Sequence, residues 1–514
     1  MHYHKKLLRF ASSLAIGCTA ATTIAALIPS TVSAREEEHE GNKIKHVLLI
    51  SIDGMHSVDL SNYVKAHPKS TLAALSYRGV TYPKAFTSRP SDSFPGLMAI
   101  VTGGTPRSTG VYYDNSYDRK LSPPGSKCKT VGTEVLYDES IDIKPDLLSG
   151  GGTPGFNASS IDPAKLPLDP SKGCTPVYPH SFLRVNTIFE VIKANGGRTA
   201  WSDKHPAYDI VNGPSGKGVD DLYTPEINNA SAPAAAVSTT AAYDDIKVTA
   251  ILNQIRGKTS GGKASKVPTI FGMNFQAVSV GQKLAKDGYI DAAATPGPNL
   301  QEAFDHTDRS LGKLVQELKK KGLYDSTLIV ITAKHGQSPI DPAKVQKVGS
   351  ILNLVSGLDA KLIAKDTQDD VALLWLSDQS KTSLVANLLT DSSTSAKIQT
   401  LYTGKNLFGL FGDPTKDSRV PDFIVQPIPG VIYTSSKSKS AEHGGFSMDD
   451  TNVALLVSNP SLRGQKVGER VTTTQIAPTI LRALGIPTRS LQAVKLEKTQ
   501  VLPELDLPEI ERRY

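Results

Sequence analysis

The chain has 514 residues, 39% of them hydrophobic and 21% charged, with a formal net charge of +7. That balance excludes a disordered or fibrous protein and suits one large core with insertions. The mild positive charge is not gathered into an Arg-rich stripe or an aromatic-interleaved basic patch, so a nucleic-acid polymer is not an expected partner; a weak attraction for small anions fits the sign.

The chain opens with Lys5, Lys6 and Arg9, continues in an apolar run from Phe10 to Pro29, and reaches the small-residue cleavage pattern Val32-Ser33-Ala34. Those three parts read as a secretory signal over residues 1–34, the alternative being an uncleaved anchor. A secreted or periplasmic mature chain is the expectation, with residues 35–43 as a polar leader. No later run reaches the roughly 18 apolar residues that a spanning helix needs. Cys18 lies in the signal, leaving Cys128 and Cys174, which in an exported chain pair as a disulfide or persist as two free thiols; the disulfide is the expectation.

The first strand is expected at residues 45–53, a continuous apolar run of the kind buried on both faces of a parallel sheet. Comparable runs follow at 268–274, 327–332 and 452–458. Helical stretches at 70–78, 185–195, 243–256, 299–321 and 473–484 alternate with them. The alternation predicts an α/β fold, a mostly parallel central sheet with helices on both faces. Residues 115–180, rich in Pro, Gly, Ser and Asp, read as a surface insertion, and 340–440 as a small cap. The Ala, Ser and Thr run from Ala230 to Ala242 reads as a linker. The main domain spans 44–490, followed by a C-terminal tail, 491–514. Asp305, His306 and Asp308 lie near the start of a long helix, where acids complement the dipole. Asn157 and Asn229 fit glycosylation acceptors.

Chemistry concentrates at a few strand exits. Asp53-Gly54 ends the first strand, at the sheet edge where ligands bind in open α/β sheets. Taken alone it is equally a turn or a metal ligand. Ser93 stands before Phe94-Pro95 and an apolar helical run, at a helix N-terminus whose free N–H groups suit an alkoxide or a phosphate; Asp92 or Ser93 as a mere cap is the alternative. Lys334-His335-Gly336 closes the third strand, and His443-Gly444 precedes the last.

In that order and context these residues resemble the type I phosphodiesterase/nucleotide pyrophosphatase branch of the alkaline phosphatase superfamily. Ser93-Phe-Pro, then Ile100-Val-Thr-Gly103 with Pro106, Ser108 and Gly110, look like its nucleophile segment. Asp308–Gly312 leading into Ser326–His335 is similar to its helix-to-strand approach, and Gln475–Gly485 to its last helix. The resemblance runs from Lys45 to Pro487 and implies an alkaline-phosphatase-like fold, with Ser93 as the nucleophile of a metal-dependent phosphoric ester hydrolase acting on a small phosphoester or nucleotide. It implies Asp53, Ser93 and His335 as ligands of one divalent ion, zinc by the His and carboxylate donors, and His443 as a ligand of a second.

The sequence departs from that pattern at two places. Lys334 stands where the family has a carboxylate ligand, and Val278 and Gln282 where it has an Asp and a His. One ion is therefore expected rather than two, with Lys334 supplying the positive charge of the other as a catalytic group. Asp92, Asn274, Gln282 and His205 are the expected substrate-binding groups, and Gln276 and Asp203 border them. The alternatives are a catalytically silent phosphate- or nucleotide-binding protein on the same fold and a sulfatase-like hydrolase, although Ser93 lacks the Ser/Cys-x-Pro-x-Arg context of sulfatases.

Overall fold

A computed structural model of the chain describes residues 44–152, 158–226, 236–284, 288–355 and 357–506. The expected signal and leader, Asn157, Asn229 and the first part of the Ala230–Ala242 run lie outside the described residues.

The central sheet is built on β1 (His46–Ile52), β2 (Gly79–Thr81), β3 (Ala200–Ser202), β4 (Asp221–Tyr223), β5 (Ile270–Phe275) and β6 (Thr327–Thr332). Strands β7 (Ile363–Gln368), β8 (Ala372–Leu376), β9 (Ile398–Tyr402) and β10 (Phe423–Pro427) form a second sheet, before β11 (Leu455–Ser458) and β12 (Gln465–Lys466) return to the first. The central order is β12-β2-β11-β6-β1-β5-β3-β4. Only β11 runs against its neighbours, so the sheet is mostly parallel. β1 shows why its sequence is apolar throughout: Val47 and Leu49 enter one core cluster, while Leu48, Ile50 and Ile52 enter the other.

The helices are α1 (Ser57–Ala66), α2 (Thr71–Tyr77), α3 (Ser93–Thr102), α4 (Ile188–Ala194), α5 (Val237–Ile255), α6 (Ala277–Lys283), α7 (Pro298–Lys320), α8 (Thr382–Asp391) and α9 (Ile476–Ala483). Leu97 of α3, Phe189 of α4 and Ile480 of α9 pack with Val47 and Leu49. Leu60 of α1, Leu72 of α2, Ile251 of α5 and Leu314 of α7 pack with Leu48 and Ile50. Each face of the sheet is thereby covered, as two-sided burial of parallel strands requires. The second sheet, antiparallel in the order β7-β8-β10-β9, packs Leu374 and Val425 on Val385 and Leu389 of α8 in its own cluster.

Several elements differ from expectation. The Ala230–Ala242 run is helical from Val237, where α5 begins with Val237 and Ala241 buried; Ala is the best helix former, and a buried face overrides the linker composition. Residues 115–180 are no mere surface insertion, because Tyr137, Ile141, Ile161 and Leu166 join the main core. In the same region Cys128 and Cys174 are joined in a disulfide. The tail is anchored through buried Leu491, Val494 and Leu502. Because α7 begins at Pro298, Asp308 lies beyond its first turn. Its carboxylate instead accepts from the free N–H groups of Thr71 and Leu72 at 3.1 and 2.8 Å, capping α2 from 237 and 236 residues away. Among the described residues no helix is long and apolar enough to cross a membrane.

Candidate active site

β6, β1, β5 and β3 are adjacent and parallel, so their carboxyl ends form one edge. That edge carries Lys334 and His335 after β6, Asp53 after β1, Asn274 and Gln276 at the end of β5, and Asp203, Lys204 and His205 after β3. Ser93 arrives from the side as the first residue of α3, capped by Asp92, whose carboxylate accepts from Phe94 N–H at 3.0 Å. Two glycines permit this approach. A Cβ on Gly96 would stand 2.0 Å from the Lys334 carbonyl oxygen, so α3 can lie on the β6 exit only with Gly there. Gly54, at φ +80°, would place a Cβ 2.0 Å from Gln282 Oε1.

Ser93 Oγ lies 3.2 Å from His335 Nε2, and the Tyr208 ring packs 5.0 Å, centroid to centroid, from that of Phe94, the next residue. His335 Nδ1 is 2.8 Å from the Gly336 carbonyl, which can only accept, so the proton sits on Nδ1 and the Nε2 lone pair faces Ser93. Burial brings the His335 pKa down to about 4, leaving the imidazole neutral at pH 7. Asp53 Oδ2 accepts from Asn274 at 3.0 Å and from Gln276 at 2.5 Å, and the Lys334 ammonium stands 3.6 Å away. Burial works to raise the Asp53 carboxyl, but Lys334 foremost, with His335, Lys204 and Asn274, holds it at about 2. Lys334 is fully buried and donates to Asp203 at 3.2 Å and to the Tyr208 hydroxyl at 3.2 Å. Burial lowers its pKa, opposed by the Asp203 and Asp53 charges.

The ring of His443 lies 4.0 Å, centroid to centroid, from that of His335. Its Nδ1 is 3.7 Å from Asp92 Oδ1, and neither atom has a hydrogen-bond partner. Burial, then the neighbouring His335, drives the His443 pKa well down. His205 is buried with an unpartnered Nδ1 and an edge-on contact to the Tyr208 ring at 5.0 Å. Asp53, Asp92, Ser93, Asn274, Lys334, His335 and His443 thus share one cluster, with His205 joined to it through Tyr208. Gln282 stands apart: its amide nitrogen donates to the Gly54 carbonyl and the Tyr289 hydroxyl, both at 2.8 Å. Sequence reasoning missed Tyr208, which lies in a 3₁₀ stretch with no motif of its own. It also passed over Lys204, although the Asp-Lys-His triplet at a strand exit was the available signal.

The divalent ion implied by the resemblance can be set against these donors. Asp53 Oδ1 is buried without a hydrogen-bond partner and faces His335 Nε2 at 3.9 Å, beside Ser93 Oγ. Those three atoms fit one ion. Among the described residues no three His, Cys, Asp or Glu side chains converge on a metal position, so the set closes only with the Ser93 oxygen. The second position lacks the family's Asp and His: Val278 offers no donor, and Gln282, whose amide nitrogen is held by Gly54 and Tyr289, offers only a neutral Oε1.

The sequence pattern of the type I phosphodiesterase/nucleotide pyrophosphatase family matches residues 47–154 and 279–449, more than half of the chain. No curated protein sequence matches. Among solved structures, murine ectonucleotide pyrophosphatase/phosphodiesterase 5 is similar with a TM-score of 0.57 at 14% identity, over 86% of this chain and 96% of that one. An inactive variant of the murine protein in complex with AMP is similar at 13% identity, with the same TM-score and coverage. The human counterpart matches with a TM-score of 0.57 at 16% identity, over 86% of this chain and 95% of that one. At such identities the structural likeness speaks for the fold, and the family match supplies the rest. With Asp53, Ser93 and His335 clustered at the carboxyl edge of a mostly parallel sheet, the chain belongs to the type I phosphodiesterase/nucleotide pyrophosphatase family of the alkaline phosphatase superfamily.

Proposed function

We propose that the protein is an exported phosphoric diester hydrolase that works through a phosphoryl- or nucleotidyl-enzyme on Ser93. Family membership supports hydrolysis of the phosphodiesterase/nucleotide pyrophosphatase type. The observation that carries the reading is the placement of Ser93 Oγ at the start of α3, 3.2 Å from the His335 lone pair. Ser93 Oγ forms its bond to phosphorus as the bond to the leaving oxygen breaks, and water then cleaves the P–Oγ bond in a second step. The dipole at the α3 N-terminus favours the developing negative charge. A divalent ion, zinc on donor chemistry, held by Asp53 Oδ1, Ser93 Oγ and His335 Nε2 would lower the Ser93 pKa and offset charge on the phosphoryl oxygens.

Lys334 takes the place of the family's fourth ligand, pairs with Asp203 and holds Asp53 ionised; its charge acts on the site across 3.6 Å to Asp53. His443, whose side chain is 14% exposed, faces arriving substrate, with Asp92 behind it. The AMP complex of the murine relative's inactive variant supports a nucleotide or another small phosphoester as the substrate class. The basic, apolar and small-residue parts of residues 1–34, together with the Cys128–Cys174 disulfide, support a secreted or periplasmic location.

Purified protein should release nitrophenolate from bis(4-nitrophenyl) phosphate, lose at least about 1,000-fold in kcat as Ser93→Ala, and lose turnover on exhaustive chelation. Elemental analysis should give one divalent ion per chain. Turnover that survives Ser93→Ala would remove Ser93 as the nucleophile. No bound metal together with no turnover on a broad ester panel would favour a silent phosphate- or nucleotide-binding protein.

A further inference from the structure

Two lysines stand at this edge of the sheet, and their surroundings separate their roles. Lys334 is fully buried, and Asp203, Tyr208 and Asp53 surround its ammonium. With its donors directed at those partners it has none to offer a substrate. Lys204, one residue after Asp203, is partly exposed, and among the described residues its ammonium forms no ion pair. Its backbone is fixed at both ends, since its N–H donates to Asp203 Oδ1 at 2.9 Å and its carbonyl accepts from the Tyr243 hydroxyl at 2.7 Å. The side chain extends from that anchor to lie 5.9 Å from the centroid of the Tyr208 ring, the same ring that Lys334 approaches at 4.3 Å. That ring packs 5.0 Å from the ring of Phe94, the residue after Ser93.

Tyr208 therefore meets both ammoniums beside the start of α3, Lys334 from the interior and Lys204 from the partly exposed side. The open side is where substrate must enter: Ser93, Asp53 and His335 are 2%, 1% and 1% exposed, whereas His443 and Lys204 are the members of the cluster that reach solvent. The charge of Lys204 is felt by Asp53, Asp92 and His443, which surround the position over Ser93. An ammonium with free donors beside a nucleophile, in a site largely closed to water, is suited to an anionic oxygen.

We propose that the Lys204 ε-ammonium binds a nonbridging phosphoryl oxygen of the substrate over Ser93, supplying the positive charge that a second metal ion supplies elsewhere in the family. The proposal rests on the Ser93 reading for the identity of the reaction, and on the placement of Lys204 alone for the binding of the anion. A phosphoryl oxygen bound there keeps its contact as Ser93 attacks, so Lys204 contributes to substrate binding and to the transition state alike. Burial works to lower the Lys204 pKa, but the charges of Asp53 first and Glu139 next outweigh it and raise it.

The test compares Lys204→Met, Lys204→Arg and Ser93→Ala with the wild-type full-length protein, each checked for its Tm. Two quantities are read: kcat/KM on bis(4-nitrophenyl) phosphate, and Kd for inorganic phosphate by calorimetry. Lys204→Met should lower kcat/KM by about 100-fold and weaken phosphate by about tenfold, the worth of one charge-assisted contact. Lys204→Arg should recover most of both, and Ser93→Ala should lose turnover while keeping phosphate affinity. Values within threefold of wild type for Lys204→Met overturn the proposal. So do equal losses in the Met and Arg variants with a lowered Tm, which would make Lys204 a structural residue. If the wild type turns over no ester, the Ser93 reading has failed, and the phosphate titration alone still decides the role of Lys204.

Discussion

The buried charges of the site form a connected set, and the Asp203–Lys334–Asp53 chain is its keystone. Lys334 and Asp203 are both fully buried, so removing the Asp203 charge leaves the ammonium with only the more distant Asp53 to offset it in a low-dielectric interior. Asp203→Asn should therefore destabilise the fold by about 3 kcal/mol, read from urea unfolding at pH 7; a change below about 0.5 kcal/mol, the range of ordinary surface substitutions, would contradict the pairing. How much of the site was legible at this scale depended on locality. Asp53, Ser93, His335 and His443 stand in short motifs at strand exits or a helix start, so sequence order exposes them. Asp203 and Tyr208 act through contacts 131 and 126 residues away from Lys334, and no local pattern announces such partners. Lys334 illustrates the limit: its identity was plain, but its burial against Asp203 and Tyr208, which turns its charge inward, is a property of the folded edge.

At the scale of elements, α3 and α1 are placed by contacts that specific substitutions should break. The Gly96 backbone rests on the Lys334 carbonyl, and a methyl group 2.0 Å from that oxygen must push α3 off the β6 exit. Gly96→Ala should lower kcat by at least about tenfold, because misplacing a nucleophile by an ångström is costly, and should lower Tm as well; wild-type kcat and Tm would show that α3 does not need this close approach. At the start of α1, His56 pairs with Asp59 at 2.9 Å. Burial would lower the His56 pKa, but the charge and hydrogen bond of Asp59 outweigh it, so the folded value lies above 6.5. A raised folded pKa contributes stability that is fully present below pH 6.5 and disappears as pH rises through the folded value. The Tm advantage of wild type over His56→Gln should accordingly shrink as pH rises through the range above 6.5; an advantage that grows with pH would reverse the assignment. Elements buried on both faces, such as β1 and β6, were readable as continuous apolar runs. Those missed were set by long-range packing: α5 extends six residues upstream because Val237 and Ala241 find a core, and α2 is capped by an Asp on α7.

At the scale of the whole molecule, the carboxyl edge of one mostly parallel sheet gathers the site, with Ser93 brought to it by α3, and a second antiparallel sheet follows β6 in the chain. The Cys128–Cys174 disulfide spans a sequence separation of 46 within a region of short strands and turns. Its loop-closure entropy corresponds to about 4 kcal/mol at 25 °C, so reduced protein or a Cys128→Ser/Cys174→Ser variant should unfold at a lower urea midpoint with little change in kcat. An unchanged midpoint would show that the buried Tyr137, Ile141 and Leu166 hold this region without the crosslink. The family and fold were legible because strand exits and the helix start keep their order along the chain. The altered ligand set was legible only as departures, since what fills a vacated position is decided in three dimensions. The central claim, that Ser93 attacks phosphorus, is tested most directly by rapid-quench mass spectrometry of the enzyme during turnover of bis(4-nitrophenyl) phosphate. The account predicts a phosphoryl-ester adduct on the peptide containing Ser93, absent from Ser93→Ala; an adduct on another residue, or turnover by the variant, would contradict it.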